Sequence, residues 1–247
     1  MLAGRPKRLY VLDFGTFRVH SGPRDIGICG YLVVTEANER ILIDSGFPAK
    51  YIADPLAATA EDDLGGFGQV FSLTAANSLA AQLAAAGAGP DDVDLFLLTH
   101  SHIDHIGGLF DMPRALLVLA ERERALPRPL YWSGAQPWDW PERATRTLAG
   151  DTALGPGFDV LQTPGHAPGQ LSVLLDLPKT GAVLLTGDAI SRPGEIAEGF
   201  ATASDPQTAL QSAKRLMTLA AERDALVIYG HSPEQWPTLR KAPAFYD

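Results

Sequence analysis

The chain has 247 residues, 46% of them hydrophobic, which is enough for a sizeable core in one large domain or two small ones. Its formal net charge of −9 (20 basic against 29 acidic residues) argues against a general nucleic-acid surface. The single cysteine, Cys29, excludes an intrachain disulfide and reads as a small buried hydrophobe.

The basic N-terminus is followed by only four apolar residues before Asp13, too few for a signal-peptide core, and no apolar run reaches membrane-span length. A soluble cytoplasmic protein without a membrane partner is expected. Residues 9–12, 28–34 and 40–43 read as strands, with a loop or ragged hairpin over 14–23 and a turn at 37–40. Two or three antiparallel strands therefore open the fold. Residues 47–72 show no clear periodicity and read as irregular. Ser72 or Thr74 is expected to cap a helix that runs to about residue 86 and ends at Gly87.

The apolar run 95–98 reads as a buried strand, and residues 106–110 as a short helix. Another strand at 115–119 and a mixed-charge helix at 121–126 follow. Residues 127–141 hold three of the four tryptophans and four prolines, an ordered loop that could wall a pocket. Strands are expected at 158–162, 170–175, 182–185 and 225–229. The best amphipathic helix spans 206–221, and the proline-rich tail is placed on the surface. The order of elements points to an α/β protein of two sheets packed face to face with helices outside, as one domain over residues 1–247.

Between the run 95–98 and Gly107 lies Thr99-His100-Ser101-His102-Ile103-Asp104-His105-Ile106. Three imidazoles and a carboxylate in six positions suit a zinc-like divalent ion and hardly suit a core. His166 and His231 also sit at strand ends, as does Asp188. Five histidines and two acids are enough for two adjacent ions with open positions for water. Such a pair makes a strong nucleophile at neutral pH and clamps a polarised carbonyl or phosphoryl oxygen, so hydrolysis of a small-molecule substrate is the chemistry best served. Asp44, in Ile43-Asp44-Ser45-Gly46, has two open readings: turn chemistry or an acceptor for a ligand histidine. His20 is left over and reads as an exposed loop residue.

This ordered set, His100-x-His102-x-Asp104-His105, then His166, Asp188 and His231, resembles the metallo-β-lactamase superfamily. The resemblance implies a four-layer αβ/βα sandwich of two mixed β-sheets, with the metals at one edge, and favours the acceptor role for Asp44. Within the superfamily the chain looks most like the N-acyl homoserine lactonases, through residues 163–170, 183–189, 205–207 and 214–216. By that pattern His100, His102 and His166 hold one ion, Asp104, His105 and His231 the other, and Asp188 bridges. A hydroxide bridging the two ions would open the lactone while Asp104 protonates the leaving alkoxide. Phe67 and Phe71 fall where those lactonases contact the acyl chain. Their tyrosine three residues after the bridging aspartate is Ser191 here. Either another group such as Tyr131 substitutes, or the substrate is a different ester, lactone or amide.

Alternatives on the same site are hydrolysis of a thioester, β-lactam or phosphoester, an iron-dependent persulfide dioxygenase, and a non-catalytic metal-bound protein. The acidity and the lack of a basic insertion disfavour a nuclease. Zinc is the expected ion, although these ligands also accept manganese, cobalt or iron.

Overall fold

The structure, a computed structural model, describes residues 1–132 and 135–247. Ser133 and Gly134, part of the expected pocket-wall loop, lie outside the described residues. The chain opens with a long hairpin of β1 (Pro6–Val19) and β2 (Arg24–Thr35), and β3 (Arg40–Ile43) pairs antiparallel with β2. Of the two readings of 14–23, loop or ragged hairpin, the hairpin forms, with residues 14–19 continuing β1. Phe14, Phe17 and Val19 are buried apolar anchors, Arg18 pairs with Asp25 across the hairpin, and the irregularity shrinks to a register shift between Asp13 and Thr16.

Residues 47–72 are also more regular than expected. They hold α1 (Lys50–Ala53), α2 (Pro55–Glu61) and β4 (Gly68–Ser72). The Asp54 carboxylate accepts from Ala57 N, with Pro55 in the first turn, so α2 has sound start chemistry but is too short to show a stripe. The helix expected from residue 74 is broken. Thr74 opens a single 3₁₀ turn, Ala75–Asn77, and Ser78 then caps a shorter α3 (Leu79–Ala85).

β5 (Leu95–Leu97) lies parallel between β3 and β6 (Leu116–Ala120). The helix expected over 106–110 does not form. Gly107 N instead donates to Gly46 O at 2.8 Å and Gly108 N to Ser45 Oγ at 2.9 Å, so these donors bind the loop after β3. The helix α4 (Glu121–Arg124) follows, then β7 (Thr145–Leu148) and β8 (Thr152–Gly155). These last two escaped sequence reading because they are short edge strands with almost no apolar alternation.

The second half supplies β9 (Phe158–Gln162), β10 (Leu171–Leu177) and β11 (Gly181–Leu185), then α5 (Glu195–Glu198), α6 (Pro206–Glu222) and β12 (Leu226–Ile228). One sheet runs β4-β1-β2-β3-β5-β6-β7 and the other β12-β11-β10-β9-β8. Both are mixed, as expected. Leu9, Val33, Ile43 and Leu97 of the first sheet pack with Val160, Val173 and Leu185 of the second between the sheets. The alternate residues Leu12, Leu32, Leu42 and Phe96 face outward beneath Tyr51, Ala58 and Leu83. On the far side Ala209, Ala213, Leu216 and Ala220 of α6 cover Leu161, Leu174 and Leu184. This is the period-2 pattern of sheets buried on both faces.

The tail does not simply lie on the surface. Leu9 and Tyr246 exchange backbone bonds at 2.9 Å, Ala242 N donates to Val11 O, and Tyr246 is buried. Because β4 pairs only with residues 16–19 of β1, residues 9–11 present an open edge, and the tail covers it. No helix is long and apolar enough to cross a membrane among the described residues.

Candidate metal centre

Five strand-end histidines and acids meet because their strands run in step. β3 delivers Asp44, β5 delivers His100, β11 delivers Asp188 and β12 delivers His231, each within three residues of the strand's C-terminal end. β9 delivers His166 through a four-residue turn. Leu171 N donates to Thr99 O at 2.9 Å, which ties the second sheet to the root of the His-rich loop. Gly230 permits a close approach: a Cβ there would stand 2.8 Å from Asp188 Oδ1 and 2.6 Å from Gly187 O.

Three groups of side chains could each hold an ion: His100, His102 and His166; His100, His105 and Asp188; and Asp104, His105 and His231. In the first, His102 Nδ1 lies 2.9 Å from both His100 Nε2 and His166 Nε2. A neutral imidazole has one N–H, so these three nitrogens cannot all satisfy one another. In the last, Asp104 Oδ2 lies 3.4 Å from His231 Nε2 and 3.7 Å from His105 Nε2. Asp188 stands between the groups. Its Oδ2 is 3.4 Å from His166 Nε2, and its Oδ1 is 3.2 Å from His231 Nε2 and 3.6 Å from His105 Nε2.

The far sides of the His105 and His231 rings are spoken for. His105 Nδ1 lies 2.8 Å from Asp44 Oδ2 and His231 Nδ1 2.9 Å from Gly27 O. Carboxylate and carbonyl oxygens only accept, so both Nδ1 atoms carry the proton and both Nε2 lone pairs face inward. Asp44 also accepts from Thr99 N at 2.9 Å and Thr99 Oγ1 at 2.7 Å. It thus fills the acceptor role expected of it, with turn chemistry in addition.

Divalent ions fit this donor set. His105 Nε2 and Asp188 Oδ1 are buried with no hydrogen-bond partner, an expense that an ion between them removes. The electrostatics agree. Burial, then the neighbouring imidazoles, holds His100 and His102 well below the ordinary histidine range, so both are ready-made neutral ligands. Burial also lowers His166. For His105 burial is outweighed by Asp104, Asp44 and Asp188, which push it well above that range, and for His231 Asp188 and Asp104 outweigh burial and push it up to about 9. Burial alone would raise Asp188, but His231, His105 and His166 hold it well below the usual carboxylate range. Bound ions would replace those protons.

The sequence profile of the Metallo-beta-lactamase superfamily matches residues 27–231. The chain belongs to the metallo-β-lactamase superfamily. Among members, the N-acyl homoserine lactonase AttM of Azorhizobium caulinodans is 30% identical over 97% of this chain and 98% of its own length. AiiA, an N-acyl homoserine lactonase of Bacillus thuringiensis subsp. kurstaki, is 31% identical over 87% of this chain and 85% of its own. A variant of B. thuringiensis AiiA, solved with N-decanoyl-L-homoserine bound at the active site, superposes with a TM-score of 0.84 at 26% identity, covering 98% of this chain and 100% of that one. An N-acyl homoserine lactone hydrolase with N-hexanoyl-L-homoserine bound at its catalytic metal centre gives the same score, identity and coverage.

The candidate centre has an aromatic flank. Phe67 is 39% exposed, stacks on Phe17 with centroids 5.8 Å apart and tilts against Trp132 at 4.8 Å. Trp132 follows Tyr131, whose backbone pairs with the His-rich loop: Tyr131 N donates to Ser101 O and Ile103 N to Tyr131 O. Phe71 is 51% exposed and lies 3.9 Å beneath the Arg18 guanidinium. The Tyr131 side chain is buried. Its hydroxyl donates to Asp62 Oδ2 at 3.0 Å beside Tyr51 and Lys50, so it is not free to replace the tyrosine that Ser191 lacks. Ser191 is half-buried, with its backbone oxygen accepting from His231 N at 2.8 Å. His20 is exposed, and Cys29 is buried against Tyr31 and Gly230.

Sequence reading missed Thr99 and Glu123, which bind the His-rich loop and touch no ion position. Thr99 adjoins His100 and could have been suspected. Glu123, in a run of alternating charges, looks like any solvated face.

Proposed function

We propose that this chain is a metal-dependent lactonase that hydrolyses the ring of N-acyl homoserine lactones, acting as one domain over residues 1–247. The observation that carries the reading is Asp188, whose two oxygens face two separate ligand groups. His100, His102 and His166 would hold one ion, and Asp104, His105 and His231 the other, with Asp188 shared. Neutral nitrogen and carboxylate oxygen donors with no thiolate make zinc the expected metal. When bound, the ions supply a water-derived nucleophile at neutral pH and Lewis acidity at the lactone carbonyl.

The chain's own residues do the rest. Water oxygen bonds to the carbonyl carbon, the ring C–O bond breaks, and the departing alkoxide needs a proton. Asp104 is suited to relay it, taking the proton that the attacking water gives up and passing it to the alkoxide: its side chain is 17% exposed against 7% for Asp188, so a substrate can reach it. Asp44 and Gly27 orient His105 and His231. Phe67 and Trp132 offer an apolar surface for the acyl chain, as the relatives' bound acyl-homoserines support.

Because Ser191 is short and the Tyr131 hydroxyl is engaged, neither of these two residues offers a phenol at the lactone, which favours a second reading as a broader lactone or ester hydrolase. Mass-spectrometric or NMR detection of ring opening over a panel of lactones and esters tests both. Turnover of acyl homoserine lactones supports the first reading, turnover only of other esters supports the second, and no turnover by metal-replete protein removes both.

A further inference from the structure

The short helix α4 carries a carboxylate that the hydrolytic chemistry does not use. Glu123 is fully buried at 0% exposure. Its Oε1 accepts from Ser101 N at 2.8 Å and from the Ser101 hydroxyl, while its Oε2 accepts from Gly169 N at 3.0 Å. The Ser101 oxygen in turn accepts from Leu130 N at 2.9 Å. Among the described residues no cation pairs with Glu123, and burial raises its carboxyl above the usual range. A buried charge without a counter-charge costs free energy, so stability alone does not account for it.

Its partners are informative. Ser101 is the residue between His100 and His102, and Gly169 ends the turn that starts at His166. One carboxylate therefore spans the two loops that carry the three ligands of a single group. Gly169 lets the loop press onto α4: a Cβ there would lie 2.4 Å from the Glu123 Cβ and 2.6 Å from its backbone nitrogen. None of these bonds reaches Asp104, His105 or His231; His105 is held by Asp44 and Ser45, and His231 by Gly27.

We propose that Glu123 is a positioning residue for one ion only: it sets the spacing between the His100–His102 loop and the His166 loop. The inference rests on the two-ion reading and deepens it. Each ion then has its own buried carboxylate, Glu123 for the first and Asp44 for the second.

Glu123→Gln keeps the shape but replaces one acceptor oxygen with an amide donor, which must face either Ser101 N–H or Gly169 N–H, donor against donor. Metal-free wild type and Glu123→Gln are titrated with zinc against a chromophoric chelator. The ring nitrogens of ¹⁵N-histidine are followed by NMR to show which imidazoles bind. The variant is expected to bind one ion about 10- to 100-fold more weakly, the loss appearing at His100, His102 and His166 while His105 and His231 stay bound. Ser101→Ala, which removes one donor and keeps the carboxylate, is expected to show the same selectivity at smaller size and serves if the glutamine variant does not fold. Leu216→Ala in α6, a general destabiliser that removes no candidate ligand and no bond to Glu123, is expected to leave the ratio of the two affinities unchanged. Equal weakening of both ions, or of neither, overturns the proposal. Wild type that binds no second ion, or binds through other histidines, defeats the two-ion reading itself.

Discussion

Replacing Asp44 by asparagine isolates what a single buried carboxylate does for His105. Asp44 has φ of 57°, a left-handed conformation that asparagine adopts nearly as readily as aspartate, whereas alanine would add about 1–2 kcal/mol of backbone strain. The amide oxygen can still accept from Thr99 N, and the amide nitrogen takes the place of Oδ2. There it meets Thr99 Oγ1, which can turn to accept, and His105 Nδ1–H, which cannot. Relief requires His105 to move its proton to Nε2, the atom that faces Asp104 and Asp188. A protonated Nε2 cannot ligate. Losing a charge-assisted bond of this kind costs about 1.5–3 kcal/mol, and about 1.4 kcal/mol corresponds to each tenfold in affinity. The expected result is a roughly 10- to 100-fold weaker ion at the Asp104–His105–His231 group. Chelator competition on metal-free protein measures it, with thermal unfolding of the same samples as a fold control. An Asp44→Asn protein that binds both ions with wild-type affinity would refute the claim that Asp44 sets the His105 tautomer.

Asp104→Asn protein loaded with its ions is expected to lose about 10²- to 10⁴-fold in ring-opening rate, and a full rate would remove Asp104 as the acid. Phe67→Ala should lower kcat/KM about tenfold for long acyl chains, in line with the area a phenyl ring can cover, and leave short chains nearly unchanged. An equal loss for all chain lengths would take Phe67 out of the acyl surface. Burial, only partly offset by the bond to Tyr31, pushes the Cys29 thiol up to about 12 from an ordinary 9.0. Folded protein at pH 8 should therefore resist a thiol reagent that labels Cys29 completely in denaturant, and rapid labelling of folded protein would contradict the burial. The same shift adds no pH dependence to stability below about 9, where the thiol is protonated in both states. Above that the unfolded chain loses its proton first, so stability falls as pH rises.

The seven candidate ligands were legible because they lie in the loops after four strands, β5, β9, β11 and β12, that hydrophobicity alone reveals, and because loops after strands carry sites. Asp44 was half-legible: its place after β3 was plain, but the choice between turn and acceptor needed the distance to His105. Glu123 was illegible, since its burial depends on Gly169 arriving from a loop 46 residues later. The segment 47–72 was misread because helices of four and seven residues are too short for a 3.6-residue stripe to show. The helix expected at 106–110 failed because its glycine N–H groups found carbonyl and hydroxyl partners on the loop after β3. The tail was misplaced because nothing local records that β4 leaves residues 9–11 of β1 uncovered.

The central claim is that hydrolysis of a lactone ring depends on ions held by the two groups that Asp188 joins. Titrating metal-free protein with zinc, while following ring opening of an N-acyl homoserine lactone by NMR, tests it most directly. The account predicts no turnover without metal, and turnover that rises to a plateau as His100, His102, His105, His166 and His231 become metal-bound. Full turnover by metal-free protein, or none when all five imidazoles are bound, would contradict it.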